Sequence, residues 1–189
     1  MRKLILQMQM TIDGFVAGPN DELDWIDTDP VMGEAHFALA EGADAALMGH
    51  NVYQGMAGYW PQAAQNPDAP KNEAEFGKLM NRMSKIILST TPEKLEWENC
   101  EQLLVKDDDD MLTKIKDLKA MPGKYLLLYG GAQTAQSLIK YGLVDEYRLD
   151  VCPIALGSGK PLFPQRTALK FVSATPYKSG AVGVIYEAP

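Results

Sequence analysis

Histidine and cysteine are scarce in this chain, with two of each among 189 residues. Cys100 and Cys152 have no metal-ligand spacing between or around them, and His36 and His50 do not cluster with them. Zinc-type catalysis is therefore not indicated. Two thiols fit a reducing compartment better than a disulfide framework. A basic surplus is missing as well: 18 Lys and Arg stand against 25 Asp and Glu, for a net charge of −7 and a pI near 4.8. That balance excludes nucleic acid as a partner, since nothing is left over to neutralise phosphates. No apolar run approaches membrane-spanning length. The opening MRKLILQMQMTIDGF is interrupted by Gln7 and Gln9, which makes a poor signal sequence and a good first strand. A cytoplasmic protein away from the membrane is expected, folded as a single domain over residues 1–189.

The most organised stretch runs from Lys124 to Leu149. Tyr125-Leu126-Leu127-Leu128-Tyr129 is an unbroken apolar run, as in a strand buried on both faces of a parallel sheet. Gly130-Gly131 breaks it, and Ala135, Leu138, Ile139 and Leu143 then recur at helical spacing toward Gly142. A diglycine between strand and helix lets backbone approach a ligand, and the helix start offers free N–H groups to a phosphate. Read alone, such a diglycine is more often a tight turn than a phosphate cradle.

Other segments follow the same logic. Strands are expected at Lys3–Met10, Asp44–Gly49, Lys85–Ser89, Gln102–Val105 and Tyr147–Ile154. Helices are expected from Pro30 to Gly42, from His50 to about Met56, from Glu73 to Met83, and from Asp107 through Leu118. Gly58-Tyr59-Trp60-Pro61 reads as a break, followed by a surface loop over residues 61–72. Residues 17–30 read as a polar loop carrying Trp25. The acidic run Asp107–Asp110 lacks calcium-loop spacing and reads as a helix N-terminus. Leu169–Tyr177 and Val182–Glu187 suit a closing hairpin. The order describes an α/β protein with a mixed, mostly parallel central sheet flanked by helices and an antiparallel C-terminal hairpin.

Ligands of open α/β sheets bind beyond the carboxyl ends of the strands. Three such ends carry small or hydroxylated residues: Gly49-His50-Asn51-Val52, Ser89-Thr90-Thr91 and Gly130-Gly131-Ala132-Gln133-Thr134. A full G-x-G-x-x-G is absent. Gly157-Ser158-Gly159-Lys160-Pro161 fails as a P-loop, with Ile154 in place of its first glycine and Pro161 in place of Ser or Thr. No G-x-S-x-G elbow is present. His36, on a helix, reads as structural, whereas His50 follows a strand and could set a partial cation beside a phosphate.

Taken together these residues resemble the dihydrofolate reductase-like superfamily. Within it they resemble the reductase domain of the bifunctional riboflavin-biosynthesis deaminase–reductase and its stand-alone relatives. The likeness spans nearly the whole chain. It rests on Ile12-Asp13-Gly14, on Leu47-Met48-Gly49 with Tyr53, on Ile86-Ile87-Leu88-Ser89, and most specifically on Gly142-Leu143-Val144-Asp145-Glu146-Tyr147 followed by Pro153 to Phe163.

The resemblance implies a reductase that takes hydride from NADPH and delivers it to a small heterocycle. It places Gly130, Gly131, Ala132, Gln133 and Thr134 along the pyrophosphate. Gly49, His50, Asn51 and Val52 fall at a phosphate, and Ser89 and Thr90 at the adenosine 2′-phosphate. Ile12 and Asp13 border the nicotinamide and substrate. Asp13 and Glu34 are the catalytic candidates, with Glu34 near the carboxylate position of folate reductases. Trp25 and Tyr129 are assigned to the substrate, and a homodimer is implied, paired through the Tyr147–Ile154 strand and the hairpin.

Two departures stand out. Relatives commonly read Gly-Arg-x-Thr-Tyr where this chain has Gly49-His50-Asn51-Val52-Tyr53. They also tend to carry glutamate where it has Tyr129. The deaminase zinc motif is absent. The alternative is a binding protein that keeps the fold without reductase chemistry.

Overall fold

The computed structural model describes residues 1–26 and 29–189, so residues 27 and 28 of the expected loop lie outside the described residues. The chain opens with β1 (Lys3–Thr11) and the short β2 (Phe15–Ala17). It continues through α1 (Pro30–Gly42), β3 (Ala45–Gly49), α2 (His50–Ala63), α3 (Lys71–Arg82), β4 (Lys85–Ser89), β5 (Cys100–Leu104), α4 (Asp108–Ala120), β6 (Tyr125–Tyr129), α5 (Ala132–Lys140) and β7 (Glu146–Cys152). The short β8 (Lys160–Pro161), then β9 (Lys170–Pro176) and β10 (Val182–Glu187), close it.

Eight strands form one sheet in the order β5-β4-β3-β6-β1-β7-β10-β9. The pairings from β5 to β7 are parallel, and β10 joins β7 and β9 antiparallel. This is the mixed, mostly parallel sheet with a C-terminal hairpin that the segment order predicts. β1 lies between β6 and β7, where an apolar strand buries both faces. Leu4 and Leu6 face the cluster holding Ile115 of α4 and Leu138 of α5. Ile5 faces the opposite cluster, with Leu39 of α1 and Met80 of α3.

Helix boundaries follow capping chemistry. Asp29 caps α1 by accepting from Met32 N at 2.9 Å, with Pro30 at the first helical position. Asp107 caps α4 by accepting from Asp110 N at 2.9 Å, so the acidic run serves the helix start as expected.

Four expectations change. α2 does not stop near Met56 but runs to Ala63 through the supposed break, with Pro61 inside it. Ring packing holds that last turn: Trp60 lies 4.8 Å from Phe76 and 5.0 Å from Tyr59 between centroids. Gly77 lets α3 come close, since a Cβ there would sit 3.0 Å from Trp60 O. α3 starts at Lys71, leaving a connection over residues 64–70 rather than a loop over 61–72. β7 ends at Cys152, because Pro153 interrupts the ladder. The small β2–β8 sheet was not foreseen. There Gly159 runs so close to Ala17 O that a Cβ would collide with it, and Lys160 pairs with Asp21.

Candidate functional site

Because β4, β3, β6 and β1 are adjacent and parallel, their carboxyl ends share one rim in the order Ser89, Gly49, Tyr129, Thr11. At the usual strand spacing this rim spans roughly 14 Å. The three turns singled out by sequence are therefore neighbours, which no spacing along the chain could establish.

Two helices begin side by side at its centre. Gly49 caps α2 and Gly131 caps α5, and neither start has a side-chain capping bond. First-turn N–H groups at both starts lack intrahelical partners, and both positive dipole ends point to the same place. The approach is tight: a Cβ at Gly49 would collide with Thr134 Oγ1, and one at Gly130 would come within 2.9 Å of Met8 Cε. Gly131 has φ +79°, and a Cβ there would meet the Val52 methyl at 2.9 Å. The glycines keep a shallow cradle open over free donors, which is the geometry an anionic diphosphate requires.

At the β3–β4 end of the rim stands His50, whose Nδ1 lies 2.7 Å from Glu93 Oε2. Glu93 Oε1 is buried without a hydrogen-bond partner among the described residues. The Ser89 hydroxyl is already engaged: it donates to Thr91 O at 2.9 Å and accepts from Thr91 N at 3.2 Å. Thr90 and Asn51 are exposed.

At the β1 end, Ile12 is 64% exposed, a large apolar side chain beside the turns and open to a flat ring. Asp13 is different. Its carboxylate accepts from Thr11 Oγ1 at 2.5 Å, from Gly157 N at 2.8 Å and from Leu156 N at 3.3 Å. The Thr11 bond, then the Gly157 bond, hold it below the usual carboxylate range. Asp13, a catalytic candidate by sequence, thus stays ionised and ties the 156–157 loop to the end of β1.

Behind the rim, the sheet face under α1 turns polar. Ile5 is apolar, but Gln7 and Gln9 follow on the same side of β1. The register pairs Gln9 with Asp150, and Leu6 with Leu128, which sets Tyr129 next to Gln7. α1 lies across this strip. His36 Nε2 is 2.7 Å from Asp150 Oδ2 and 3.1 Å from Gln7 Nε2, and Gln7 Nε2 also donates to Asp150 at 3.3 Å. The Tyr177 hydroxyl bonds Asp150 from the hairpin, and burial is the main cause raising its pKa.

The Tyr129 phenol has no hydrogen-bond partner among the described residues, and burial pushes its pKa strongly up, so it remains a neutral donor. Polar groups set into a buried sheet face are costly unless bonded. Here Gln7, His36 and Asp150 satisfy one another, and the Tyr129 phenol stands beside them.

Glu34, the other catalytic candidate, is exposed on the outer side of α1, about half a turn around the helix from His36, which faces the sheet. Trp25 is half-buried, and its indole N–H donates to Glu22 O at 3.2 Å within its own loop. By sequence His36 reads as structural, and Gln7, Glu93 and Asp150 are not singled out. The two glutamines at alternate positions of a buried strand were the available signal. A surface groove of about 640 Å³ runs along α2 beside Tyr53, Trp97 and Glu98, and Glu93 belongs to its lining. Among the described residues, no group of His, Cys, Asp and Glu could hold a metal ion, and no helix is long and apolar enough to cross a membrane.

Comparison with known proteins now gives the lineage. Residues 2–183 match the RibD C-terminal domain family, and the chain belongs to it. The chain is 36% identical over 188 residues to the uncharacterized protein YyaP of Bacillus subtilis, covering 98% of this chain and 94% of that one. Among solved structures, it superposes on a putative riboflavin biosynthesis protein from Shewanella sp. PV-4 with TM-score 0.70 and 22% identity, covering 100% and 99% of the two chains. It superposes on a diaminohydroxyphosphoribosylaminopyrimidine deaminase/5-amino-6-(5-phosphoribosylamino)uracil reductase of Thermotoga maritima with TM-score 0.66 and 15% identity, spanning 57% of that longer chain. The shared fold is the dihydrofolate reductase-like one.

Proposed function

From that membership and this geometry we propose that the protein is a reductase that binds a reduced nicotinamide dinucleotide along the rim and a small pterin- or pyrimidine-like heterocycle under α1. NADPH is the form the family resemblance implies. The observation that carries the reading is the pair of uncapped helix starts at Gly49 and Gly131, held in contact through Thr134. One such start is common; two converging beside a polar strip and an exposed Ile12 fit a diphosphate between two ring-binding ends.

The dinucleotide supplies hydride from its nicotinamide when bound. The chain's own share is placement and proton supply. The first-turn N–H groups of α2 and α5 with the Thr134 hydroxyl hold the diphosphate. Ile12 backs the ring end. Gln7 and Tyr129 present an amide and a neutral phenol to the edge of the heterocycle. His36, oriented through Nε2 by Asp150, leaves Nδ1 without a partner among the described residues, available to hand a proton to the substrate.

The test is a thermal shift with millimolar NADH and NADPH, followed by nicotinamide oxidation across a panel of dihydropterins and aminopyrimidines. A ligand bound only by the native state raises the melting temperature. Stabilisation with turnover supports the reading. Stabilisation without turnover on any member assigns the chain to ligand binding alone, and no stabilisation retires the site.

A further inference from the structure

The hairpin joining β9 to β10 does more than close the sheet. Its tip is folded on itself, with Tyr177 N donating to Ala181 O at 2.9 Å and Gly180 N to Tyr177 O at 3.1 Å, and Ala181 is buried. The tip reaches α1 twice. Ser179 N donates to Asp29 Oδ2 at 3.1 Å, while Asp29 Oδ1 accepts from Met32 N at 2.9 Å as the helix cap. Tyr177 bonds Asp150, and Asp150 Oδ2 lies 2.7 Å from His36 Nε2. Asp29 and His36 stand seven residues apart, about two helical turns, so both ties fall on one face of α1.

Tyr177 reaches Asp150 because β10 carries a glycine between them. Gly183 is the antiparallel partner of Asp150, and a Cβ on it would lie 2.6 Å from the Tyr177 hydroxyl oxygen and 3.0 Å from ring Cζ. The ring therefore lies across bare β10 backbone, with its hydroxyl at the carboxylate of the neighbouring strand. That carboxylate is 7% exposed, and its Oδ2 already serves both His36 and Gln7. A buried carboxylate needs its lone pairs filled, and a donor arriving from the hairpin fixes the angle at which it meets the imidazole. We propose that Tyr177, seated over Gly183, is a positioning residue: its hydroxyl orients Asp150, and Asp150 in turn orients the His36 ring. This rests on the reductase reading, in which His36 hands over the proton, and extends it to the C-terminal hairpin.

Tyr177→Phe tests this, because it keeps the ring over Gly183 and removes only the hydroxyl. Ring-labelled histidine spectra of the full chain, without ligand, should show the His36 signals displaced and the His50 signals in place. On a substrate that the panel shows to be turned over, kcat should fall about tenfold with the dinucleotide KM unchanged. Gly183→Ala, which drives the ring off the strand, should displace the same signals and lower kcat as much. Combining the two should lower kcat little further, since both act through one contact. Gly183→Ala also serves if Tyr177→Phe does not fold. His36 signals unmoved in both variants overturn the proposal and leave the reductase reading standing. So does a native kcat in both. If no panel member is turned over, the reductase reading fails alone, and the histidine spectra still decide whether Tyr177 orients His36.

Discussion

His36 Nε2 lies 2.7 Å from Asp150 Oδ2, joining the middle of α1 to the far end of β7 across 114 residues of sequence. The carboxylate fixes the ring and selects which nitrogen carries the shared proton. Around them stand Gln7 from β1, Tyr177 from the hairpin and Asp29 at the start of α1, whose charge reaches Tyr177. If this pair supplies the proton, His36→Asn and Asp150→Asn should each lower the reduction rate by about 100-fold. They should leave dinucleotide stabilisation intact. A rate within twofold of native for His36→Asn would remove the pair from the chemistry. The chain has two histidines, so ring-labelled protein gives two sets of signals, and a bound dihydropterin should shift the one that His36→Asn deletes.

Gly131→Ala should damage the cradle twice. Its φ of +79° costs an L-residue roughly 1–2 kcal/mol. The new methyl would also press on Val52 at 2.9 Å, directly above the α5 start. Urea unfolding should show a loss of about that size, and the dinucleotide-induced melting shift should shrink. Unchanged dinucleotide affinity would place the ligand elsewhere.

Acid should loosen the β1 end of the rim. The folded-state pKa of Asp13 is depressed, chiefly by Thr11 and Gly157, so its contribution is present above the ordinary carboxylate range and is lost as pH falls through the lower folded value. Glu22, held low chiefly by the Asn20 side chain, behaves likewise. Melting temperature should therefore decline as pH drops below about 4. Asp13→Asn should weaken that decline and increase amide exchange at Leu156 and Gly157. Equal exchange in variant and native protein would contradict the tie.

Of the two elements expected to pair the homodimer, β7 lies inside the sheet between β1 and β10 and offers no open edge, whereas β9 of the hairpin does. We propose that two copies meet at β9, the open edge. Its backbone lacks a strand partner on one side, and Phe171 and Val172 are 60% and 49% exposed there. Light scattering should give twice the chain mass, and Phe171→Glu should give the monomer. A native monomer at micromolar concentration would refute the pairing.

Much of the architecture was legible in the chain. Buried parallel strands read as continuous apolar runs, as in Ala45–Gly49 and Tyr125–Tyr129, and Pro30 and the acidic run from Asp107 announce helix starts. Diglycine 130–131 marked its turn for the same reason, since a left-handed backbone and a close approach leave few other residues possible. These signals act within a few residues, where propensity and capping decide the outcome.

The site depended on distance through space. Pro61 was a false stop because ring packing against Phe76 outweighed one missing hydrogen bond. Asp13 binds loop amides and Glu34 faces solvent, orientations that only the tertiary structure decides. The residues that converge under α1, Gln7, His36 and Asp150, are scattered along the sequence, and Glu93 reaches His50 from a separate turn. Strand order and helix rotation brought them together, because burying the apolar faces of a β1-centred sheet fixes which polar side chains are left facing one another.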